Sequence, residues 1–390
     1  MRGCTMRYEA PTRRETITYG GAVVGSGLIA GCTGSEREDT RTSAPVSDEN
    51  GETDDGREVC LEPVGCLEFE GPPERYVTYK ESTAEMAILA GHGDGLAGID
   101  RPTEGLATLD ELFYDEIPGL SIDPAGITNI RADGENVDKE IFYEIDADLH
   151  LIDPNEAAFR FDWSDDDLAE IEEHVAPFFG HSNRRYTYDW QDGYEVIDLL
   201  DNFERIAAVF GATDRYEAFR EVHDRMLERI DEVTPDEDPE IGLLNGGSDA
   251  RTGTFYPLSP SSAGYEMRQY RTIGVTDAFA DVDVGDGEAD YETLLDVDPE
   301  IIVFHWDVLS SEEEFRTERL EPMRDHPVGG ELTAVKNDRV YPGGTAEQGP
   351  LTNLFQTELL AAQLWPAEFG DVELFDRQRV AEIVTGEIDR

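Results

Sequence analysis

The sequence predicts an α/β protein with two Rossmann-like lobes, each built on a central parallel sheet, joined by one long connecting helix and enclosing a ligand cleft. Three observations predict this fold. Short β-branched and aromatic runs alternate with helical segments in both halves of the chain. The middle, residues 193–232, carries apolar residues at helical spacing. Residues 142–153 are echoed by residues 294–305, and each segment combines a helix end, an acidic turn and a buried strand.

The first lobe is predicted over residues 73–192. The helix after its first strand begins near Ser82 and has Glu85 three residues later, which is the spacing of a capping box. A long loop is expected at residues 103–130. The predicted strands cover residues 75–79, 96–99, 149–152 and 175–179, and the predicted helices cover residues 82–90, 137–145 and 165–174.

The connecting region contains a helical segment at residues 194–210, an interruption at Gly211 and a second helical segment with an apolar stripe. The second lobe, residues 233–372, resumes the alternation of strands and helices, and a C-terminal tail follows at residues 373–390. The predicted strands of this lobe cover residues 241–244, 301–304 and 339–341, and its predicted helices cover residues 263–274, 291–295 and 351–364.

The N-terminus has the pattern of an export signal. The arginine pair at 13–14 fits a twin-arginine signal, and the apolar stretch after it is shorter than the roughly 20 residues of a membrane-spanning helix. Residues 28–32, LIAGC, resemble a lipoprotein cleavage box. We therefore expect residues 1–31 to be removed and Cys32 to carry a lipid that anchors the protein to the outer face of the cell membrane. Residues 32–72 are then an acidic tether.

Composition limits the classes of function. The 390 residues carry a formal net charge of −57, and only three of the 31 basic residues are lysines. So negative a chain repels the phosphate backbone, which excludes a nucleic-acid-binding function. Self-repulsion of the acidic surface is largely screened at about 1 M salt, where the Debye length is roughly 3 Å. The composition therefore indicates a halophilic protein, and acidic runs are interpreted as solvated surface.

Four cysteines predict one local disulfide. Cys4 belongs to the export signal and Cys32 to the lipid anchor, which leaves Cys60 and Cys66. An exported protein enters an oxidising compartment, so these two are expected to pair across the turn between them. Two cysteines without a second pair speak against a zinc site, and an iron–sulfur cluster usually needs four thiolates. No cofactor is expected.

Six blocks, in this order and spacing, resemble the extracytoplasmic substrate-binding proteins of ABC importers, in the branch for iron–siderophore, haem and cobalamin uptake. The resemblance covers residues 75–368. The blocks are STAEMAILAGHGDGLAGID at 82–100, EIDADLHLIDP at 144–154, NFERIAAVFGATDRYEAF at 202–219, LLDVDPEIIVFHW at 294–306, AVKNDRVYPGG at 334–344 and GPLTNLFQTELLAAQLWP at 349–366.

The resemblance implies a monomeric binding protein, not an enzyme, that captures a ferric chelate of the siderophore type and delivers it to an ABC transporter permease. It also implies limited hinge motion, because one long helix connects the lobes in this branch. Cobalamin, haem or a free metal ion are the alternative ligands, and an enzyme or sensor on a similar two-lobed scaffold is the alternative function. Together with the acidic composition, the resemblance indicates a haloarchaeal lipoprotein.

Candidate ligand-binding residues follow the predicted strands, because ligands of open α/β sheets bind at the carboxyl ends of the strands. Arginine forks pair with carboxylates, so a ligand with carboxylates or another anionic surface is expected. Aromatic side chains suit flat chelating groups. No residue is expected to be catalytic or to ligate a metal. The candidates are Tyr79, Lys80, Arg101, Arg131, His181, Arg184, Arg185, Arg251, Tyr256, Arg268, His305 and Trp306.

Overall fold

The computed structural model of the protein describes residues 56–131, 136–233, 238–282 and 287–388. The predicted export signal, the predicted lipidation site Cys32 and residues 32–55 of the predicted tether lie outside the described residues.

Ten strands lie in the described part of the chain. They are β1 (Arg57–Leu61), β2 (Gly65–Phe69), β3 (Tyr76–Thr78), β4 (Leu96–Ile99), β5 (Thr128–Asn129), β6 (Leu149–Leu151), β7 (Glu240–Asn245), β8 (Thr276–Asp277), β9 (Ile302–His305) and β10 (Val340–Gly343).

Fifteen α-helices lie in the same ranges. They are α1 (Glu81–Leu89), α2 (Gly105–Leu112), α3 (Lys139–Ile145), α4 (Pro154–Phe161), α5 (Asp165–His174), α6 (Leu199–Val209), α7 (Thr213–Asp231), α8 (Arg268–Ile273), α9 (Tyr291–Val297), α10 (Glu312–Phe315), α11 (Glu321–Asp325), α12 (Thr333–Lys336), α13 (Pro350–Leu364), α14 (Pro366–Phe369) and α15 (Arg377–Thr385).

The sheet of the first lobe has four parallel strands in the order β5-β4-β3-β6. Both faces of its central strands are buried, which explains why they are continuous apolar runs in the sequence. Tyr76 and Leu96 face a core shared with α1 and α6, whereas Val77 and Ala97 face helices α3, α4 and α5. The strand predicted at 175–179 is reduced to a single bridge between His150 and Phe178.

The sheet of the second lobe also has four parallel strands, in the order β10-β9-β7-β8. Leu243 and Val303 point to a core that includes Leu360 of α13. Leu244 and Phe304 point to the opposite core. Two parallel sheets covered by helices confirm the predicted fold class.

The two echoed segments have the same local structure. Helices α3 and α9 are each followed directly by an aspartate, Asp146 or Asp298, in the left-handed conformation, with φ of 50° and 46°. Each is followed by the strand of its lobe, β6 or β9. Aspartate tolerates this conformation better than most residues, so it ends a helix and directs the chain back into the sheet.

The connection between the lobes is interrupted near Gly211, as the sequence of residues 193–232 indicates, so it is not one continuous long helix. It consists of two helices, α6 and α7, that pack against each other. The first begins only at Leu199, where the Asp198 carboxylate accepts the Leu200 N–H and caps the helix. The break between the helices includes Gly211, whose φ is +69°.

A hairpin of β1 and β2 precedes the first lobe and packs onto the fold, although the sequence placed these residues in the tether. Its apolar side chains Val59, Leu61 and Phe69 are buried in the core with α1 and α6. Arg57 donates hydrogen bonds to the backbone oxygens at the end of α6. Cys60 and Cys66 lie opposite each other in the hairpin and form a disulfide.

Several elements occupy regions that the sequence left without structure. Helix α2 and strand β5 lie in the predicted loop at 103–130, and α15 lies in the predicted tail. Helix α15 buries Val380, Ala381 and Ile383 against the core that contains α1 and α7. Among the described residues, no helix has both the length and the apolar character that crossing a membrane requires.

The lobes meet where the middle of α1 contacts the N-terminus of α13, in what we call the buried contact. Glu85 of α1 is fully buried, and one of its carboxylate oxygens accepts the N–H groups of Leu351 and Thr352 at 2.6 and 3.0 Å. The other oxygen accepts the hydroxyls of Thr352 and Tyr114 at 2.6 and 2.7 Å. A side chain of the first lobe therefore satisfies the N-terminal N–H groups of a helix of the second lobe.

Candidate functional site

A cleft lies where the carboxyl ends of the strands in one lobe face the other lobe. Lys80 follows β3, Asp153 follows β6 and Trp306 follows β9, because parallel strands end at the same edge of their sheet. The space between these strand ends amounts to about 360 Å³ with open solvent included, but only about 20 Å³ of it can hold the centre of a water molecule. In this arrangement the lobes are therefore nearly closed on each other, with room for about one water molecule. The cleft is lined by Tyr79, Lys80, Ser82, Thr83, Leu151, Ile152, Asp153, Glu156, His181, Ser182, Asn183, Arg184 and Tyr265.

Glu347 of the second lobe binds two first-lobe cations that line this cleft, Lys80 and Arg184. The same carboxylate oxygen lies 3.1 Å from Lys80 Nζ and 3.1 Å from Arg184 Nη1. Its second oxygen accepts the hydroxyl of Tyr265. Lys80 Nζ also lies 4.4 Å from the centre of the Tyr79 ring, a cation–π distance.

Glu266 is the second carboxylate of the cleft contact, and it is almost completely buried. Its Oε1 atom accepts the Arg185 Nη2–H at 2.7 Å and the Trp306 indole N–H at 2.7 Å. Arg184 Nη2 lies 3.3 Å away, and His305 Nε2 lies 3.5 Å away. We call the ion pairs of Lys80, Arg184 and Arg185 with Glu266 and Glu347 the cleft contact.

The pKa shifts of the two glutamates follow from these partners. Burial by itself raises the pKa of Glu266, but the hydrogen bond from Arg185 and the charges of both arginines hold it well below its usual range. Burial also raises the pKa of Glu347, and the charges of Lys80 and Arg184 more than offset that effect. Both carboxylates are therefore ionised at neutral pH.

The first-lobe wall of the cleft contains two further buried carboxyl groups. The Asp153 carboxylate caps α4 and accepts the Ser182 N–H at 2.9 Å and the Tyr194 hydroxyl at 3.0 Å. Burial raises its pKa to about 7, and the nearby charge of Glu156 adds to the rise. Burial likewise raises the pKa of Glu156, although Lys80 opposes the shift. This wall therefore offers acidic groups that a neighbouring cation would ionise.

Backbone contacts hold the lobes together beside these charges. The Tyr265 N–H donates to the Asn183 oxygen across the cleft at 2.9 Å. Gly264 has φ of +103°, and a Cβ atom there would lie 2.1 Å from the Arg184 oxygen. Only glycine permits so close an approach of the two backbones.

The structure brings seven of the twelve predicted residues together. Four of them line the cleft, namely Tyr79, Lys80, His181 and Arg184. The other three belong to the cleft contact or its edge, namely Arg185, His305 and Trp306. Trp306 has φ of +82°, a strained conformation for a large residue at the end of a strand.

The other five predicted residues do not line the cleft. Arg131 pairs with Asp100 at 3.0 Å and donates to the Tyr79 hydroxyl behind the cleft wall. Arg251 pairs with Glu318 on the exposed surface. The remaining three are Arg101, exposed beyond β4; Tyr256, 39% exposed; and Arg268, buried between Asp198, His223 and Asn353.

Sequence reasoning missed the second-lobe carboxylates that pair with the cations of the cleft contact, Glu266 and Glu347. Their types carried no signal, because acidic residues are so abundant in this chain that each was assigned to the surface. The position of Glu347 in the sequence could have identified it, because it closely follows β10, at the edge of the sheet where strand-end residues meet. The cations attracted attention because they are scarce, and the structure pairs those of the cleft with these carboxylates.

The described acids and histidines of the cleft do not form a compact group of metal ligands. Within those ranges, the only group of three His, Cys, Asp or Glu ligand atoms close enough for one ion is exposed Glu58 with Cys60 and Cys66. Both cysteines of that group are engaged in the disulfide. Two buried tyrosines of the second lobe, which could otherwise bind a ferric ion, have other partners: Tyr265 binds Glu347, and the Tyr270 hydroxyl lies 3.0 Å from His305.

Comparisons with known proteins agree with this architecture. Residues 159–345 match the family model described as periplasmic binding protein. No curated protein matches the sequence at a significant level.

Among solved structures, CeuE of Helicobacter pylori with Ni(II) bound has a TM-score of 0.55 and 16% identity, over 85% of this chain and 96% of that chain. A periplasmic binding protein from Veillonella parvula has a TM-score of 0.54 and 14% identity, over 79% of this chain and 97% of that chain. PiuA, an iron uptake ABC transporter substrate-binding protein of Streptococcus pneumoniae, has a TM-score of 0.53 and 14% identity, over 79% of this chain and 98% of that chain. The chain therefore has the two-lobed α/β fold of periplasmic binding proteins.

Proposed function

We propose that the protein is the solute-binding component of an ABC importer. It captures a ferric chelate of the siderophore type outside the cell, as a monomer and without catalytic turnover, and delivers it to a membrane permease. The observation that carries this proposal is the cleft, because it brings the strand ends of two parallel sheets together around charged and aromatic side chains.

The similar proteins support an iron-related solute. PiuA is described as an iron uptake substrate-binding protein, and CeuE was crystallised with Ni(II). The absence of a compact ligand group among the described cleft residues favours a chelated ion over a free one. Tyr79 and Trp306 add aromatic surface at the cleft and its edge, which suits a chelator with flat groups.

Binding of a ferric chelate is the first prediction. We expect the mature protein, in buffer of high ionic strength, to bind a ferric siderophore with one-to-one stoichiometry in native mass spectrometry and calorimetry. Thr83→Trp places an indole on the cleft wall and is expected to weaken binding at least about tenfold, a change of about 1.4 kcal/mol.

Thr108→Trp is the matched control, since Thr108 is also a half-buried helical threonine but does not line the cleft. Its affinity should equal that of the wild type. Haem, cobalamin and free Fe(III) are tested in parallel, and tighter binding of any of them would replace the ferric chelate as the ligand. Equal weakening by both tryptophan variants would contradict the cleft as the binding site.

We further propose that the protein is an anchored lipoprotein. The twin-arginine pair and the cleavage box ending at Cys32 support export and lipidation, and the acidic segment after Cys32 is a suitable tether. Mass spectrometry of protein purified from membranes should show Cys32 as a lipid-bearing first residue. Cys32→Ala should leave the chain unprocessed or released, whereas Cys4→Ala should have no effect on anchoring. An intact, unmodified N-terminus on the wild-type protein would refute the anchor.

A further inference from the structure

The charge balance of the cleft points to the class of ligand. The three cations of the cleft contact face two fully engaged carboxylates, Glu266 and Glu347. Three more carboxyl groups, of Glu81, Asp153 and Glu156, lie near Lys80 or one another. The cleft region therefore has five carboxyl groups against three cations, and each cation already has an anionic partner inside the protein.

Glu347 already occupies the position that a ligand anion would need. Both of its oxygens are used, one by Lys80 and Arg184 and the other by the Tyr265 hydroxyl. Its side chain is 16% exposed, so little water is available to solvate it if its cations turn to a ligand. An anionic ligand would therefore have to separate existing ion pairs and leave a carboxylate without its partners, which is costly in a buried site.

A neutral or positively charged ligand does not compete with Glu347 for Lys80 and Arg184. After the lobes separate to admit such a ligand, these cations can donate to Glu347 as well as to the ligand, because each has several N–H groups. A positive charge near the first-lobe wall would also be attracted to Asp153 and Glu156. Discrimination then comes mainly from a repulsive element against the wrong ligand.

We infer that Glu347 makes the cleft selective for ferric chelates of zero or positive net charge and against strongly anionic ones. This inference rests on the proposed solute-binding function and specifies its ligand class. It replaces the expectation of a carboxylate-bearing ligand, since that expectation assumed arginines without partners inside the chain.

The test compares two probes at one fixed ionic strength: a singly positive ferric trihydroxamate and a triply negative ferric tris-catecholate. We expect the wild-type protein to bind the trihydroxamate at least about tenfold more tightly. Glu347→Gln keeps the shape of the side chain but removes its charge, which releases Lys80 and Arg184 for a ligand anion. Its preference for the trihydroxamate should narrow by about tenfold or more, mainly through tighter binding of the tris-catecholate.

Glu318→Gln is the matched control, because it makes the same change of charge at an exposed ion pair with Arg251. It should leave the ratio of the two affinities unchanged. A wild-type preference for the tris-catecholate overturns the inference without any variant, and so does an unchanged ratio in a folded Glu347→Gln protein. Binding of neither chelate overturns the proposed function as well, so the two failures are distinguishable.

Amide hydrogen exchange of the ligand-free protein adds a readout of the cleft contact itself. The Tyr265 amide donates across the cleft to Asn183, so its exchange reports separation of the lobes at this point. We expect faster exchange at Tyr265 in Glu347→Gln than in the wild type or Glu318→Gln. Unchanged exchange would show that Glu347 does not hold the two lobes together, and would overturn its assigned role as the internal counter-ion.

Discussion

The two lobes touch through two neighbouring contacts that differ in chemistry. In the buried contact, Glu85 is inaccessible to water and accepts four hydrogen bonds in fixed directions. In the cleft contact, Glu347 and Glu266 bind long, partly exposed side chains of lysine and arginine. A fully satisfied buried carboxylate is costly to disturb, whereas ion pairs whose cations remain partly exposed contribute less. The comparison indicates a permanent hinge beside an openable front.

The largest expected effect tests the hinge. Glu85→Ala leaves the N–H groups of Leu351 and Thr352 without acceptors in a dry interior, and it also opens a cavity. We expect a loss of about 3–5 kcal/mol in the free energy of unfolding, measured by denaturant titration at constant salt.

Glu347→Ala is the comparison variant, because it removes the same type of side chain at the neighbouring, more exposed contact. Its expected loss is smaller, about 1–2 kcal/mol, because Lys80 and Arg184 are partly exposed and Arg184 keeps Glu266 as a partner. If the two variants lose equal stability, the distinction between a hinge and an openable front fails.

A smaller expected effect is on the pH dependence of stability, where Asp153 differs from Glu266 and Glu347. The pKa of Asp153 is raised to about 7 by burial, against about 4 for aspartate in an unfolded chain. Between these values the folded protein holds a proton that the unfolded chain has lost, so this group makes stability fall as pH rises from about 4 to about 7. Glu266 and Glu347 have lowered pKa values, so their contribution is lost only when the solution becomes strongly acidic.

Asp153→Asn should therefore become more stable relative to the wild type as pH is raised from about 5 to about 8. The measurement is the difference in unfolding free energy between variant and wild type at each pH. Asp138→Asn is the control, since Asp138 caps α3 at an exposed position. A difference for Asp153→Asn that does not change with pH, or a change of equal size in the control, would contradict the raised pKa.

Local patterns predicted much of the fold. Strand β4 and helix α5 have the predicted bounds, because a buried apolar run and the capping box at Ser164 are local signals. Helix α15 and the hairpin were missed, since their short apolar segments become informative only when a core is present to cover them. The capping box expected at Ser82 was wrong: α1 begins at Glu81, and no side chain caps its N-terminus.

The candidate site was predictable to the extent that strand ends determine it. Tyr79, Lys80 and Trp306 follow buried strands, so the rule for parallel sheets selected them without knowledge of the second lobe. Arg251 and Arg268 were selected for their charge, and the structure gives each of them an acidic partner outside the cleft. Charge alone is a poor guide to ligand-binding residues in a chain where a basic side chain finds an acidic partner almost everywhere.

The sequence by itself determined the alternation of strands and helices, the two similar halves and the edge at which their strand ends meet, because hydrophobic periodicity and turn chemistry are local properties. Only the tertiary structure decided which charges pair. Glu85 was interpreted as a local cap, yet it caps a helix 266 residues away, and Glu347 neutralises cations of the opposite lobe. Such pairings depend on distances between segments that are remote in the chain, and burial strengthens them because low polarity increases both the attraction of a pair and the cost of a missing partner.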